Sequence, residues 1–151
     1  MARGDQTAFD SVSEATGETV HDFTPSTGDS LKVALVSDAI TAIVAQTNLA
    51  DFTEVVGSGY TAGGENTTIT AWTRSGATTQ LNVTDVGWLQ DAAGPTDIKT
   101  AILYNSSKLG QDDAITYIDL TEDGGVTPVS LRVGAINIDL STNPPLFSTR
   151  R

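Results

Sequence analysis

Residues 67–84 read TTITAWTRSGATTQLNVT. Two runs rich in Thr and β-branched or large apolar residues flank Ser75-Gly76, so the stretch reads as a hairpin of strands Thr67–Arg74 and Ala77–Thr84. On the first strand Ile69 and Ala71 share one face, while Thr68, Thr70 and Trp72 share the other. Leu81 and Val83 align on the second. This period of two extends through the rest of the chain. Leu31–Val36 (LKVALV), Val86–Leu89, Asp97–Tyr104, Ala114–Leu120, Val126–Val133 and Ala135–Leu140 all read as strands. Pro128 predicts an edge position for its strand, Glu122-Asp123-Gly124-Gly125 a hairpin turn, and Gly134 a kink. The expected fold is all-β: a single sandwich of about eight mostly antiparallel strands, jelly-roll-like.

Between these segments the pattern is weaker. Ser37-Asp38 is positioned to cap a short helix over Ala39–Ala45, against the β-branched character of Ile40, Thr41, Ile43 and Val44. Asn48–Val55 reads as one helical turn or an irregular loop, and Gly57–Gly64 as a Gly-rich connector. Residues 1–29 are polar, with Phe9, Val12, Val20 and Phe23 as spaced apolar pegs. They read as an N-terminal arm that docks on a neighbour. Residues 30–140 form the sandwich. Residues 141–151, with Pro144, Pro145, Leu146 and Phe147, form an extended C-terminal tail.

Composition limits the function. Nineteen acidic residues against eight basic ones give a net charge of −11, and no basic stripe is present. Such a chain repels nucleic acid and anionic lipid, so neither is expected as a partner. The absence of cysteine excludes disulfides and thiolate chemistry. The N-terminal residues lack the apolar core of a signal peptide, and Ala39–Ala45 is too short to cross a bilayer, so synthesis in a cytoplasm is expected.

Candidate chemistry is sparse. His21, the single histidine, sits beside Asp22 in the polar arm with no G-x-S-x-G elbow anywhere, and reads as a surface histidine in a mobile segment. Asp112-Asp113 and Glu122-Asp123 supply carboxylates of the kind that bind Ca²⁺, but without a D-x-D-x-D-G spacing they read as turn residues. Gly57–Gly64 lacks the Lys-Ser/Thr of a phosphate loop. Trp72 and Trp88 suit a sugar-stacking platform but are expected to pack in the core or at a subunit interface. No cofactor, metal or catalytic residue is assigned, and no enzymatic activity is expected.

Several stretches together resemble a family of small virion proteins from tailed bacteriophages. They are Phe9 within a polar arm, Leu31–Val36, the tract Gly59-Tyr60-Thr61-Ala62-Gly63-Gly64, Ala101–Asn105, Asp113–Leu120 and Ile136–Leu140. The tract YTAGG is the sharpest piece, and the apolar Ala39–Ala45 departs from the pattern. The resemblance implies a capsid decoration, or cement, protein. Such a protein is a β-sandwich that forms homotrimers on the outer capsid surface, binds the major capsid protein and bridges capsomers of the DNA-filled head. Phe9, Val12, Val20 and Phe23 of the arm, with Pro144, Pro145, Leu146 and Phe147 of the tail, would then make the subunit or capsid contacts. The alternatives are a tail or baseplate accessory protein with a host-recognition role, and a carbohydrate-binding module using Trp72 or Trp88.

Overall fold

Strand β2 (Leu31–Val36) organises the molecule. The computed structural model describes residues 3–4, 6–9, 21–42, 47–76, 78–107, 113–142 and 146–148. Within them the fold is all-β and sandwich-like. β2 pairs antiparallel with β7 (Thr100–Asn105) along its whole length, from Leu31 opposite Asn105 to Val36 opposite Thr100. β7 pairs in turn with β8 (Ala114–Asp119), and β8 with a short strand β1 (Gln6–Ala8). β3 (Glu65–Thr67) lies on the other side of β2, giving a five-stranded antiparallel sheet in the order β1-β8-β7-β2-β3.

The central strands are covered on both faces. All six residues of β7 are buried, as are Val33, Ala34, Leu35 and Val36 of β2. This explains why their sequences read as nearly continuous apolar runs rather than clean alternations. Cross-strand partners share a face, which places Ala34, Ile102 and Tyr117 together. Phe9 packs edge-on against Tyr117 and also meets Phe52, with ring centroids 5.2 and 6.0 Å apart.

The hairpin expected from residues 67–84 is present as β4 (Ile69–Ser75) and β5 (Thr78–Val83). Ser75 pairs with Thr78, so the turn sits one residue later than Ser75-Gly76, and a bulge between Ile69 and Ala71 breaks the simple face assignment. β10 (Leu146–Ser148) adds to β5, completing a three-stranded sheet in the order β10-β5-β4. β6 (Val86–Trp88) and β9 (Ile136–Ile138) form a separate two-stranded ribbon. Leu81, Val83, Trp88, Ile136 and Ile138 join the main sheet in one continuous core.

Two expectations change. Val126–Val133 is a loop whose one β-bridge among the described residues joins Val129 to Ile98, outside the named strands, while Leu131 is buried in the core. The Asp123 carboxylate accepts the amides of Val126 and Thr127 and curls the chain back, Pro128 has no N–H to donate, and the Ser130 carbonyl accepts the Val133 amide in a further turn. The turn at Glu122–Gly125 therefore closes no hairpin. The helix expected over Ala39–Ala45 is a 3-10 turn, Ile40–Ala42, in its described part; residues 43–46 lie outside the described set. Asp38 does not cap it. Its carboxylate accepts the Thr53 amide at 2.6 Å and fastens the neighbouring loop instead.

Candidate interaction surfaces

The arm residues were expected to reach outward. Phe9 follows β1 and is buried on Tyr117 and Phe52. Phe23 is also buried, between the His21 ring, stacked at 5.4 Å and 16°, and Trp72 at 4.9 Å. Both pegs thus sit in the core of their own chain. Leu146 and Phe147 lie in β10, opposite Gln80 and Thr79 of β5. Val12, Val20, Pro144 and Pro145 fall outside the described residues. The three-residue strands that hold these ends carry too little pattern to be read locally.

His21 is buried rather than exposed. Its Nδ1 lies 3.0 Å from the Asn105 amide nitrogen. Asn105 Oδ1 accepts the Ser107 amide, and Asn105 Nδ2 also donates to Asp29, so the amide's orientation is determined by its partners. Nδ1 of His21 is therefore an acceptor, and the ring holds segment 21–30 against the end of β7.

The tract YTAGG is a structural clamp. β2 shares one edge between two partners: β3 along its first half, and Thr53–Val55 at its end, where Val55 donates to Leu35 and Ser37 to Thr53. The tract fills the junction. The Tyr60 hydroxyl accepts the Leu35 amide at 3.1 Å and donates to Glu54 Oε1 at 2.6 Å. Glu54 also accepts the Gly63 amide, and Tyr104 donates to the Gly63 carbonyl at 2.7 Å. Burial, reinforced by Glu54, pushes the Tyr60 phenol well above its ordinary pKa. Trp88 leans on Tyr60, with centroids 6.0 Å apart, and is buried, whereas Trp72 is half-buried on Phe23. Trp88 therefore presents no open ring face for a sugar.

Many carboxylates work as loop fasteners. Asp85 accepts the amides of Leu140 and Ser141 and the Ser141 hydroxyl. Asp51 accepts the amides of Thr47 and Asn48, Asp22 the amide and hydroxyl of Thr24, and Asp91 the Ala93 amide and Ser58 hydroxyl. These bonds, with those of Asp123 to Thr127, hold all five carboxyls below their usual pKa range. The acidic excess is thus partly a record of loop construction. Among the described residues no group of three or more His, Cys, Asp or Glu side chains is placed to hold a metal ion.

The most exposed apolar side chains cluster by loop. Val56, Leu89 and Val133 stand on three loops bound tightly to one another. Ser58 donates to the Ala93 carbonyl and to Asp91, Asp91 to the Leu131 carbonyl, and Gln90 to the Arg132 carbonyl. Arg132 Nε returns a bond to the Gly94 carbonyl at 2.8 Å. These bonds tie the three loops to one another, and period-two patterning gave no sign of it. Compared with protein-family models, with curated proteins and with solved structures, the chain matches none.

Proposed function

We propose that this chain is a non-enzymatic virion component, a capsid decoration protein that forms trimers on the outer surface of a bacteriophage head and bridges capsomers through the major capsid protein. The observation that carries the reading concerns the tract on which the resemblance is sharpest. Tyr60–Gly64 is clamped into the edge of the main sheet by hydrogen bonds from Leu35 and Tyr104 and to Glu54, so the resemblance resides in residues that build the sandwich.

The mechanism is mechanical. Packed DNA presses a shell outward, and a bridge across neighbouring subunits adds interface that must be lost before the shell opens. A main sheet whose central strands are buried on both faces suits a stiff bridge. Three linked copies convert modest single contacts into high avidity. A net charge of −11 keeps the molecule off the packaged nucleic acid and keeps decorated particles apart.

Copy number tests the proposal. Quantitative mass spectrometry of purified source particles should find this protein near parity with the major capsid protein. A ratio below roughly one to twenty would place it in the tail or at a unique vertex, where a host-recognition role becomes the better reading. Its absence from particles would end the virion reading.

A further inference from the structure

Asp119, the last residue of β8, differs from the loop-fastening carboxylates in being 0% exposed. Its Oδ1 accepts the amide and the hydroxyl of Thr121, at 2.9 and 2.7 Å, whereas its Oδ2 is buried and accepts no hydrogen bond. No basic side chain balances it. The one ion pair among the described residues joins Arg3 to Glu122, both exposed. A carboxylate enclosed in this way, with one oxygen unmatched and no counter-charge, is among the costliest groups that a core can hold.

The contacts around it close into a ring of oxygens. The Thr121 hydroxyl accepts the Gly125 amide at 2.6 Å. A β-carbon on Gly125 would stand 2.8 Å from that of Ala39, so the 121–125 loop lies against the segment that begins at Asp38. The Asp38 carbonyl accepts the Thr100 hydroxyl at 2.7 Å. Thr100 in turn stands directly opposite Asp119 in the pairing of β7 with β8, on the same face, with β-carbons about 5 Å apart. Thr100 and Thr121 are as buried as Asp119. Neither hydroxyl can serve Oδ2, because Thr100 donates its proton to Asp38 and Thr121 donates its own to Oδ1. Each keeps a lone pair for a cation.

We propose that Asp119 Oδ2 binds one alkali cation of the Na⁺ class, with the Thr100 and Thr121 hydroxyls and the Asp38 carbonyl as neutral donors. Oxygen donors of this kind select a hard cation. Charge decides its valence. One buried carboxylate among neutral oxygens is balanced by a single positive charge, and a divalent ion would leave an excess in the core. The ion fastens the end of β8, the 121–125 loop and the segment after β2 to one another. It belongs to the folded chain whatever that chain assembles with.

The test is thermal melting of the full chain at about pH 8, above the ordinary carboxylate range, with Na⁺, K⁺ or choline as the chloride at equal ionic strength. An alkali cation should raise the melting temperature by about 2 °C or more over choline, and the rise should saturate with concentration. Asp119→Asn keeps the acceptor for Thr121 and removes the charge, so it should melt alike in all three salts. Thr100→Val keeps the charge and removes a donor, so it should weaken the alkali effect. Equal melting of the unaltered protein in alkali and choline salts would overturn the inference. An alkali effect undiminished in either variant would assign it to the acidic surface instead, and stabilisation by Ca²⁺ but not by Na⁺ would contradict a single positive charge; each result overturns the proposal.

Discussion

Gly64 lies against the backbone of Val33 so closely that a β-carbon at position 64 would stand 1.8 Å from the Val33 carbonyl oxygen. Its φ of +70° adds a conformation that side chains other than glycine rarely adopt. The final glycine of the YTAGG tract therefore sets how closely the connector can pass along β2 before β3 begins. Gly64→Ala should destabilise the fold by about 3 kcal/mol or more, or prevent folding. Gly76 also has a positive φ, of +63°, but meets nothing within 4 Å, so Gly76→Ala should cost only about 1–2 kcal/mol. Urea unfolding of both variants checks the contrast, and equal losses would show that close approach is unimportant at Gly64.

Tyr60 ties the same junction from the side. Tyr60→Phe keeps the ring but leaves the Leu35 amide without its acceptor and removes one of the two donors to Glu54 Oε1. A loss of about 1–3 kcal/mol is expected. The raised phenol pKa also makes the protein alkali-sensitive. A group that holds its proton more tightly when folded stabilises the fold fully below the unfolded value, about 10, and loses that contribution as the pH rises beyond it. Melting temperature should fall above about pH 10, and less steeply in Tyr60→Phe than in the parent. Parallel curves would assign the alkaline loss to other groups.

Acid should act through the loop fasteners. Asp22, Asp51, Asp85, Asp91 and Asp123 have lowered folded pKa values, so their stabilising contribution is present above the unfolded Asp value, about 3.9, and is lost as the pH drops below it. Asp85 joins the start of β6 to the end of β9. Asp85→Asn should lower stability at neutral pH and flatten the decline on acidification. Thermal melts from pH 6 to pH 2 would show both effects, and an unchanged slope would exclude Asp85 from the acid response.

The core should discriminate sharply between buried and projecting aliphatic residues. Leu103 is fully buried at the centre of β7, opposite Val33 and Thr116. Leu103→Ala should cost about 2–5 kcal/mol through lost burial and the cavity left behind. Val126→Ala, on an exposed loop, should change stability by less than about 0.5 kcal/mol. Chemical denaturation measures both, and a small loss at Leu103 would mean that the strand packs more loosely than its burial indicates.

Local sequence determined the strands that carry their own pattern. Leu31–Val36 was legible to the residue, the hairpin of residues 67–84 nearly so, and the cores of β7, β8 and β9 lie inside the segments read as strands. A run of six alternating or β-branched residues favours extended backbone whatever it pairs with. The YTAGG tract was legible as a signal, but its clamping role depends on Leu35, Glu54 and Tyr104, which no spacing along the chain brings together. Only tertiary structure decided the rest. β1, β3 and β10 are three residues long and exist because a neighbouring strand offers its edge, a long-range event without a local mark. Val126–Val133 has the composition of a strand but is turned aside by Asp123 and Pro128. Phe9 and Phe23 look like free pegs in a polar segment, yet both are buried, because Tyr117, Phe52 and Trp72 converge on them from distant parts of the chain. Periodicity is a property of neighbours in sequence, whereas burial depends on which distant surfaces meet. The end loops belong to the second kind: Val56, Leu89 and Val133 stand on three loops that long-range hydrogen bonds tie together.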